Sequence, residues 1–389
     1  MKSIATSALT LAISVVLCAH AANSEKVLYN FPSGSRPADY LVKNGSGDLY
    51  GVTVNGGQGL GSVYRLSEKK GVWAETDIYD FSGNDGSNPV AALSLDPSGI
   101  LYGTTEFGAQ GEGTLFSLTP QKRNWTLSVL HSFIGGPEGA RPLTSVFRNK
   151  TSGFLYGTTA TGGERGCGTV FEFDPGSGLS TIYSFQGGGD GCSPRGALRE
   201  TNLKATMVGS TGLGGASDTG TVFTLSEHNG EWTEKVIFDF THDRDGAHPT
   251  DLNSAKDGTI FGVARNGGQF GHGTVFMLSK AHNIWSESTI YSFHGSSDGS
   301  DPVGVRYADT TSTLYITTAT GGKYSAGTAV SLMFDGTDWV ASVLHNFGNA
   351  NDGANPTGGL ILNPDTGDQY GTTAAGGTLG GGTVYVISP

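Results

Sequence analysis

One motif recurs seven times along this chain, and that recurrence constrains the fold more than any other property. A Leu-Tyr-Gly-Thr-Thr pattern is centred on Tyr50, Tyr102, Tyr156, Val208, Phe261, Tyr315 and Tyr370, at intervals of 52, 54, 52, 53, 54 and 55 residues. Ten or eleven residues after the motif glycine, or after Ile316 where isoleucine replaces it, comes Gly-Thr-Val-Phe. The glycines of this second motif are Gly61, Gly113, Gly168, Gly220, Gly273, Gly327 and Gly382. A Gly-Gly pair or a degenerate form of it lies between the two, as in Gly162-Gly163 and Gly376-Gly377. Self-similarity at a fixed period of this length means repeated supersecondary units that bury their apolar faces against one another.

Each repeat reads as four short strands separated by turn residues. In the second repeat, strand a is Ala91 to Leu95, strand b Leu101 to Thr105, strand c Thr114 to Leu118, and strand d runs from Trp125 to Phe133. An Asp-Gly-x-x-Pro loop then leads onward. Glycine is abundant (63 of 389 residues) and charge sparse (15%), which could indicate disorder. The regular placing of aromatic and β-branched residues argues for a β-rich fold instead. No helical period is visible, so helical solenoids are excluded. Four strands per repeat of about fifty residues suit a propeller blade. The expected fold is therefore all-β, a seven-bladed β-propeller formed by a single domain over residues 22–389.

The phase of the repeat predicts how the ring closes. Val27 to Phe31 reads as a strand d with no a, b or c of its own, and Thr383 to Ile387 reads as a strand c with no d after it. The N-terminal strand is expected to complete the last blade and remove an open sheet edge.

The pattern Gly-x-Leu-Tyr-Gly-Thr-Thr, Gly-Gly, Gly-x-Gly-Thr-Val-Phe resembles the GloVer tandem repeat of the choice-of-anchor bacterial surface proteins. Leu155 to Thr159 with Gly168 to Phe171 matches it closely. The resemblance implies a propeller-like exported protein and carries no activity. The chain stops at Pro389, directly after its last blade strand, with no sorting tail. A free secreted or periplasmic protein is expected rather than an anchored one.

Residues 1–21 read as a signal peptide: Lys2, an apolar stretch from Ala8 to Leu17 too short to span a bilayer, then Ala19-His20-Ala21. Leu17 is too large for the small residue a lipoprotein site at Cys18 needs. No later apolar run reaches the length of a membrane span. The formal charge of −12 argues against nucleic acid and anionic membranes as partners. A monomer is expected.

Chemistry is expected on the face that carries the b–c and d–a loops. The Asp-Gly pairs at Asp85, Asp190, Asp245, Asp298 and Asp352 read as turn formers, and all five tryptophans, at the start of strand d, as packing residues. Function should lie where the blades differ. The residue before the loop proline runs Arg36, Asn88, Arg141, Ser193, His248, Asp301, Asn355 around the ring. Ionisable outliers gather in blades 3 to 6: Arg141, Glu164, Arg165, Arg195, His242, Arg244, His248, Arg265, His272, Lys323 and Tyr324. A basic, His-containing sector on an acidic protein suits an anionic ligand; the alternative is a set of solvated loop tips paired with the Asp ring. His242 to His248 holds two His and two Asp but lacks a defined ligand spacing, so neither a metal nor a cofactor is expected. Cys167 and Cys192 lie on one face and are expected to form a disulfide.

Three functions remain open. The leading one is a binding module for an extracellular glycan or another anionic polymer. The second is a lyase on uronate-containing polysaccharide, in which Arg165 or Arg265 neutralises a carboxylate while His248, His272 and Tyr324 move protons. The third is a structural envelope protein.

Overall fold

A computed structural model describes residues 24–201, 206–349 and 351–389; the expected signal peptide lies outside them. The described residues form seven antiparallel sheets, one per repeat, arranged as a seven-bladed β-propeller. Blade 1, for example, has strands a to d at Pro37–Lys43, Leu49–Thr53, Ser62–Lys69 and Val72–Asp80. Blade 5 has them at Ala247–Ser254, Ile260–Asn266, Thr274–Ala281 and Ile284–Ser292. In blade 7, strand c is Gly380–Ser388 and strand d is the N-terminal Ser24–Pro32. Their register includes Val27 opposite Tyr385 and Asn30 opposite Thr383, so the first strand closes the last blade as the repeat phase requires.

The two motifs form the b–c hairpin. In six blades the hydroxyl of the last b-strand motif residue meets that of the residue after the second motif's glycine: Thr53 with Ser62, then Thr105 with Thr114, Thr159 with Thr169, Thr211 with Thr221, Thr318 with Thr328, and Thr373 with Thr383. These buried pairs lie 2.7 to 2.9 Å apart and satisfy two polar groups that the hairpin removes from water. The motif glycine makes room for a ring. A Cβ at Gly103 would sit 2.6 Å from Phe116 Cζ across the strand pair.

The core lies at the seams between blades. Seven apolar clusters occur among the described residues, each drawn from two adjacent blades. The phenylalanine ending each strand d packs on the next blade: Phe81 on Phe116, Phe185 on Phe223, Phe240 on Phe276, and, across the closure, Phe31 on Tyr64. Tryptophans reach the other way. Trp73, Trp125, Trp232 and Trp339 lie against Tyr370, Tyr50, Tyr156 and Phe261 of the preceding blades, which bears out their packing role. Such edge-on pairs add roughly 0.5–1.5 kcal/mol each beyond burial.

Strand a differs from the expectation in blade 2, where it is Ser94–Leu95 and not Ala91 to Leu95. The reason is residue count. In blades 5 and 6 the buried Leu252 and Val305 come three residues after the loop prolines Pro249 and Pro302, and strand a is long. In blade 2, Leu93 comes four residues after Pro89, and the additional residue interrupts the ladder. Blade 1 absorbs the same excess as a bulge between Ala38 and Val42, which leaves Asp39 in the left-handed region at φ 55°.

Cys167 in the b–c loop of blade 3 is bonded to Cys192 at the start of blade 4, with Cα atoms 4.5 Å apart. Closing a 25-residue separation restricts the unfolded chain by about 3 kcal/mol. Among the described residues, no helix is long and apolar enough to cross a membrane.

Candidate functional site

The loop face is built on backbone geometry that leaves one side chain per blade free to vary. The residue before each loop proline is left-handed, with φ between 54° and 59° at Arg36, Asn88, Arg141, Ser193, His248, Asp301 and Asn355. Its N–H donates to a carbonyl of the preceding blade's b–c loop, as from Arg141 to Glu112 and from Asp301 to His272. The fold uses the backbone there, and the side chain is set by local partners. The Asp ring is likewise structural, as its turn chemistry suggests. Asp85, Asp190, Asp245, Asp298 and Asp352 accept the N–H of the residue following the strand-d phenylalanine, at 2.8 to 2.9 Å. Four of them also accept from Tyr79, Tyr183, Tyr291 or His345 on that strand.

The expected basic sector is distributed over separate environments. Arg141 pairs with Glu106 and lies over the Phe107 ring. Arg265 makes a two-pronged pair with Asp301, and that hydrogen bond holds its pKa above the ordinary arginine range against the opposing effect of burial. His248 Nδ1 lies 3.1 Å from Asn266 Oδ1, and His272 Nδ1 lies 3.2 Å from Ser300 Oγ. Glu164 takes a hydrogen bond from Gln186, and Arg165 beside it is exposed. Lys323 covers its neighbour Tyr324. His242 and Arg244 line a shallow surface groove with Asp243, Asp245 and Glu287. No cluster of three or more His, Cys, Asp or Glu suited to a metal occurs among the described residues.

Two of these residues, Arg195 and Arg265, line a cavity of about 220 Å³ at the loop-face end of the central channel. Arg195 follows Pro194 and is exposed, and its guanidinium has no ion-pair or hydrogen-bond partner among the described residues. The cavity's floor is a polar tie across the ring. Tyr40 of blade 1 donates to the Asp251 carboxylate of blade 5, and Arg199 of blade 4 lies 3.4 Å from the other Asp251 oxygen. Arg199 Nε also donates to the Leu252 carbonyl, and the Val305 N–H donates to Asp251. Asp39, placed in the channel by the blade 1 bulge, accepts the Ala92 N–H at 2.7 Å. Burial pushes the Asp39 carboxyl up to about 6, against the lowering effect of that N–H. Burial and the Asp251 charge push the Tyr40 phenol well above its usual range, which keeps it a neutral donor.

Asp39, Tyr40, Arg199 and Asp251 lie on the a strands of blades 1, 4 and 5, away from the loop tips that the sequence singled out. A signal was present in the second residue after each loop proline, which is acidic in blades 1 and 5 and Ala, Thr or Gly elsewhere.

Fold and channel together define a β-propeller with a plugged axis and a polar loop-face mouth. The chain belongs to the Gloeobacter/Verrucomicrobia repeat family, whose model matches residues 15–146, 107–304 and 252–389. No curated protein matches the sequence. Among solved structures it is similar to a hypothetical selenium-binding protein from Sulfolobus tokodaii, at 11% identity and TM-score 0.59, covering 92% of this chain and 94% of that one. It is also similar to a protein provisionally described as a 6-phosphogluconolactonase from Bacteroides uniformis, at 12% identity and TM-score 0.55, covering 82% of this chain and 85% of that one. At these identities the likeness establishes the fold alone.

Proposed function

We propose that this protein is an exported binding module that takes an anionic extracellular glycan at the loop-face mouth of its channel. The observation that carries the reading is Arg195: an exposed guanidinium without a partner among the described residues, beside Arg265 at a concave site, on a chain of formal charge −12. A planar guanidinium matches a uronate carboxylate in two-pronged geometry. The hydroxyls of Ser145 and Thr250 in the same lining suit sugar hydroxyls. The tie beneath them closes the axis, so a ligand would dock from the face without threading the ring.

The test is a glycan array followed by titration calorimetry. Uronate polymers are expected to bind and neutral glucans not, with affinity falling as salt rises. Arg195→Ala is expected to weaken binding by about tenfold or more, since a hydrogen bond to a charged group contributes about 1.5–3 kcal/mol. The melting temperature should barely move. Binding that survives this substitution unchanged would remove the site from consideration.

A second reading, a lyase, draws on Tyr40 and Arg199 at the floor of the same cavity. It is the weaker one, because the raised Tyr40 phenol is committed to Asp251 and is a poor base. Appearance of an unsaturated uronate product on incubation with polymer would favour it over binding alone.

A further inference from the structure

The opposite end of the channel has a different chemistry. There the a–b turns surround a larger cavity of about 730 Å³, within the usual range for small-molecule sites. Tyr40 and Arg199 line both cavities, so the polar tie stands between them. Four cationic side chains with no acidic partner among the described residues border this second cavity: Lys43, Arg148, Lys150 and Arg306. They come from blades 1, 3 and 6, so the cavity is ringed rather than flanked by positive charge. Arg148 Nε is buried without a hydrogen-bond partner among the described residues, so this donor is left unmatched. One carboxylate is among the lining residues, that of Asp96, and its Oδ1 already holds Ser98 and Ile100 N–H groups in its own turn. Arg199 at the deep end is matched by Asp251. Between the cations the wall is apolar, with Val42, Leu95, Phe147, Ile361 and Leu362 partly open to the cavity.

A basic rim over an apolar wall, on a protein of net negative charge, is not what solvation of a loop face selects. Concave sites focus the potential of the charges around them and raise the local concentration of the opposite ion. The apolar wall is satisfied by a ligand that removes it from water. We propose that this mouth is a second binding site, for a small amphiphilic anion: a carboxylate or phosphate group set on an apolar body. The anionic group lies among Arg148, Lys150 and Arg306, and the apolar body lies on Phe147, Ile361 and Leu362. The site is independent of the loop-face glycan reading, from which the plugged channel separates it.

The experiment titrates the mature protein with decanoate below its micellar concentration, in parallel with decanamide and with inorganic phosphate. Decanoate is expected to bind one to one, at least tenfold more tightly than either control, and binding should weaken with salt. The double substitution Lys150→Ala, Arg306→Ala is expected to reduce decanoate affinity at least tenfold. Both residues are exposed and without acidic partners among the described residues, so the melting temperature should stay within a degree or two. Arg195→Ala, on the other face, should leave decanoate binding unchanged. Phosphate binding as tightly as decanoate would overturn the amphiphile, and decanamide binding as tightly would overturn the role of charge. Absence of decanoate binding, or affinity unaltered in the double variant, would overturn the site.

Discussion

Ile316 and Val330 face each other in blade 6, where six other blades set a glycine against an aromatic ring. The two arrangements put a comparable volume across the b–c pair by opposite means: a small residue and a ring, or two aliphatic side chains. A Cβ at Gly262 would overlap the Phe276 ring. Gly262→Ala is therefore expected to cost about 1–3 kcal/mol, the usual range for overpacking. Converting blade 5 to the blade 6 solution, Gly262→Ile with Phe276→Val, should recover most of the stability that Gly262→Ile loses alone. Guanidinium midpoints decide it; a double variant no more stable than Gly262→Ile would mean that the pair is not exchanged as a unit. Ile316 was visible in the sequence as an irregularity in the motif. Its cause was not, because the compensating Val330 belongs to a different strand and becomes a neighbour only through hairpin register.

At the level of whole strands, the outer edge of the propeller carries a run of carboxyls with displaced pKa values. Glu25, Glu75 and Glu234 are each six residues before the phenylalanine of a strand d. Burial raises all three to about 7, helped at Glu234 by the Asp190 charge, at Glu25 by Asp352 and at Glu75 by Asp77. Glu234 also receives a contact from Tyr183 of the preceding blade, 3.4 Å away. A carboxyl whose folded pKa lies above its unfolded value holds its proton more tightly when folded, so it contributes stability below the unfolded pKa that is lost as pH rises through the folded one. The window runs from about 4.5 to about 7. The protein is expected to melt higher at pH 5 than at pH 8, and Glu234→Gln should narrow that difference by removing one of the three titrations. A difference unchanged in Glu234→Gln would show that the seam between blades 3 and 4 does not contribute. The strands themselves were largely legible in the sequence, since period, turn residues and aromatic spacing repeat seven times. The site was less so. Repeats are compared blade with blade, whereas the channel brings Tyr40 of blade 1 against Asp251 of blade 5, residues 211 positions apart. Arg195 and Arg265 were within reach of the sequence; their sharing a cavity was not.

For the molecule as a whole, stability depends on one pairing between strands from opposite ends of the chain. Removing residues 22–31 takes away strand d of blade 7, the Phe31 contact with Tyr64 and the hydrogen bond from Thr378 N–H to Asn30. The truncated protein is expected to melt well below the intact one in a single transition, and a peptide spanning Ser24–Pro32, supplied in excess, should restore part of the loss. An unchanged melting temperature would mean that the ring does not need its latch.

That pairing also sets an order of events in folding. Ser24–Pro32 is synthesised long before its partner Gly380–Ser388. The contact between Asn30 and Thr378 spans 348 residues, and closing a loop of that size costs chain entropy that no earlier local contact repays. Throughout translation the first strand waits as an unpaired edge, and blades 1 to 6 can collapse around it without finishing the ring. The ring therefore cannot close until Gly380–Ser388 has been made, and a chain truncated before Gly380 should carry an open, association-prone arc in place of a closed ring.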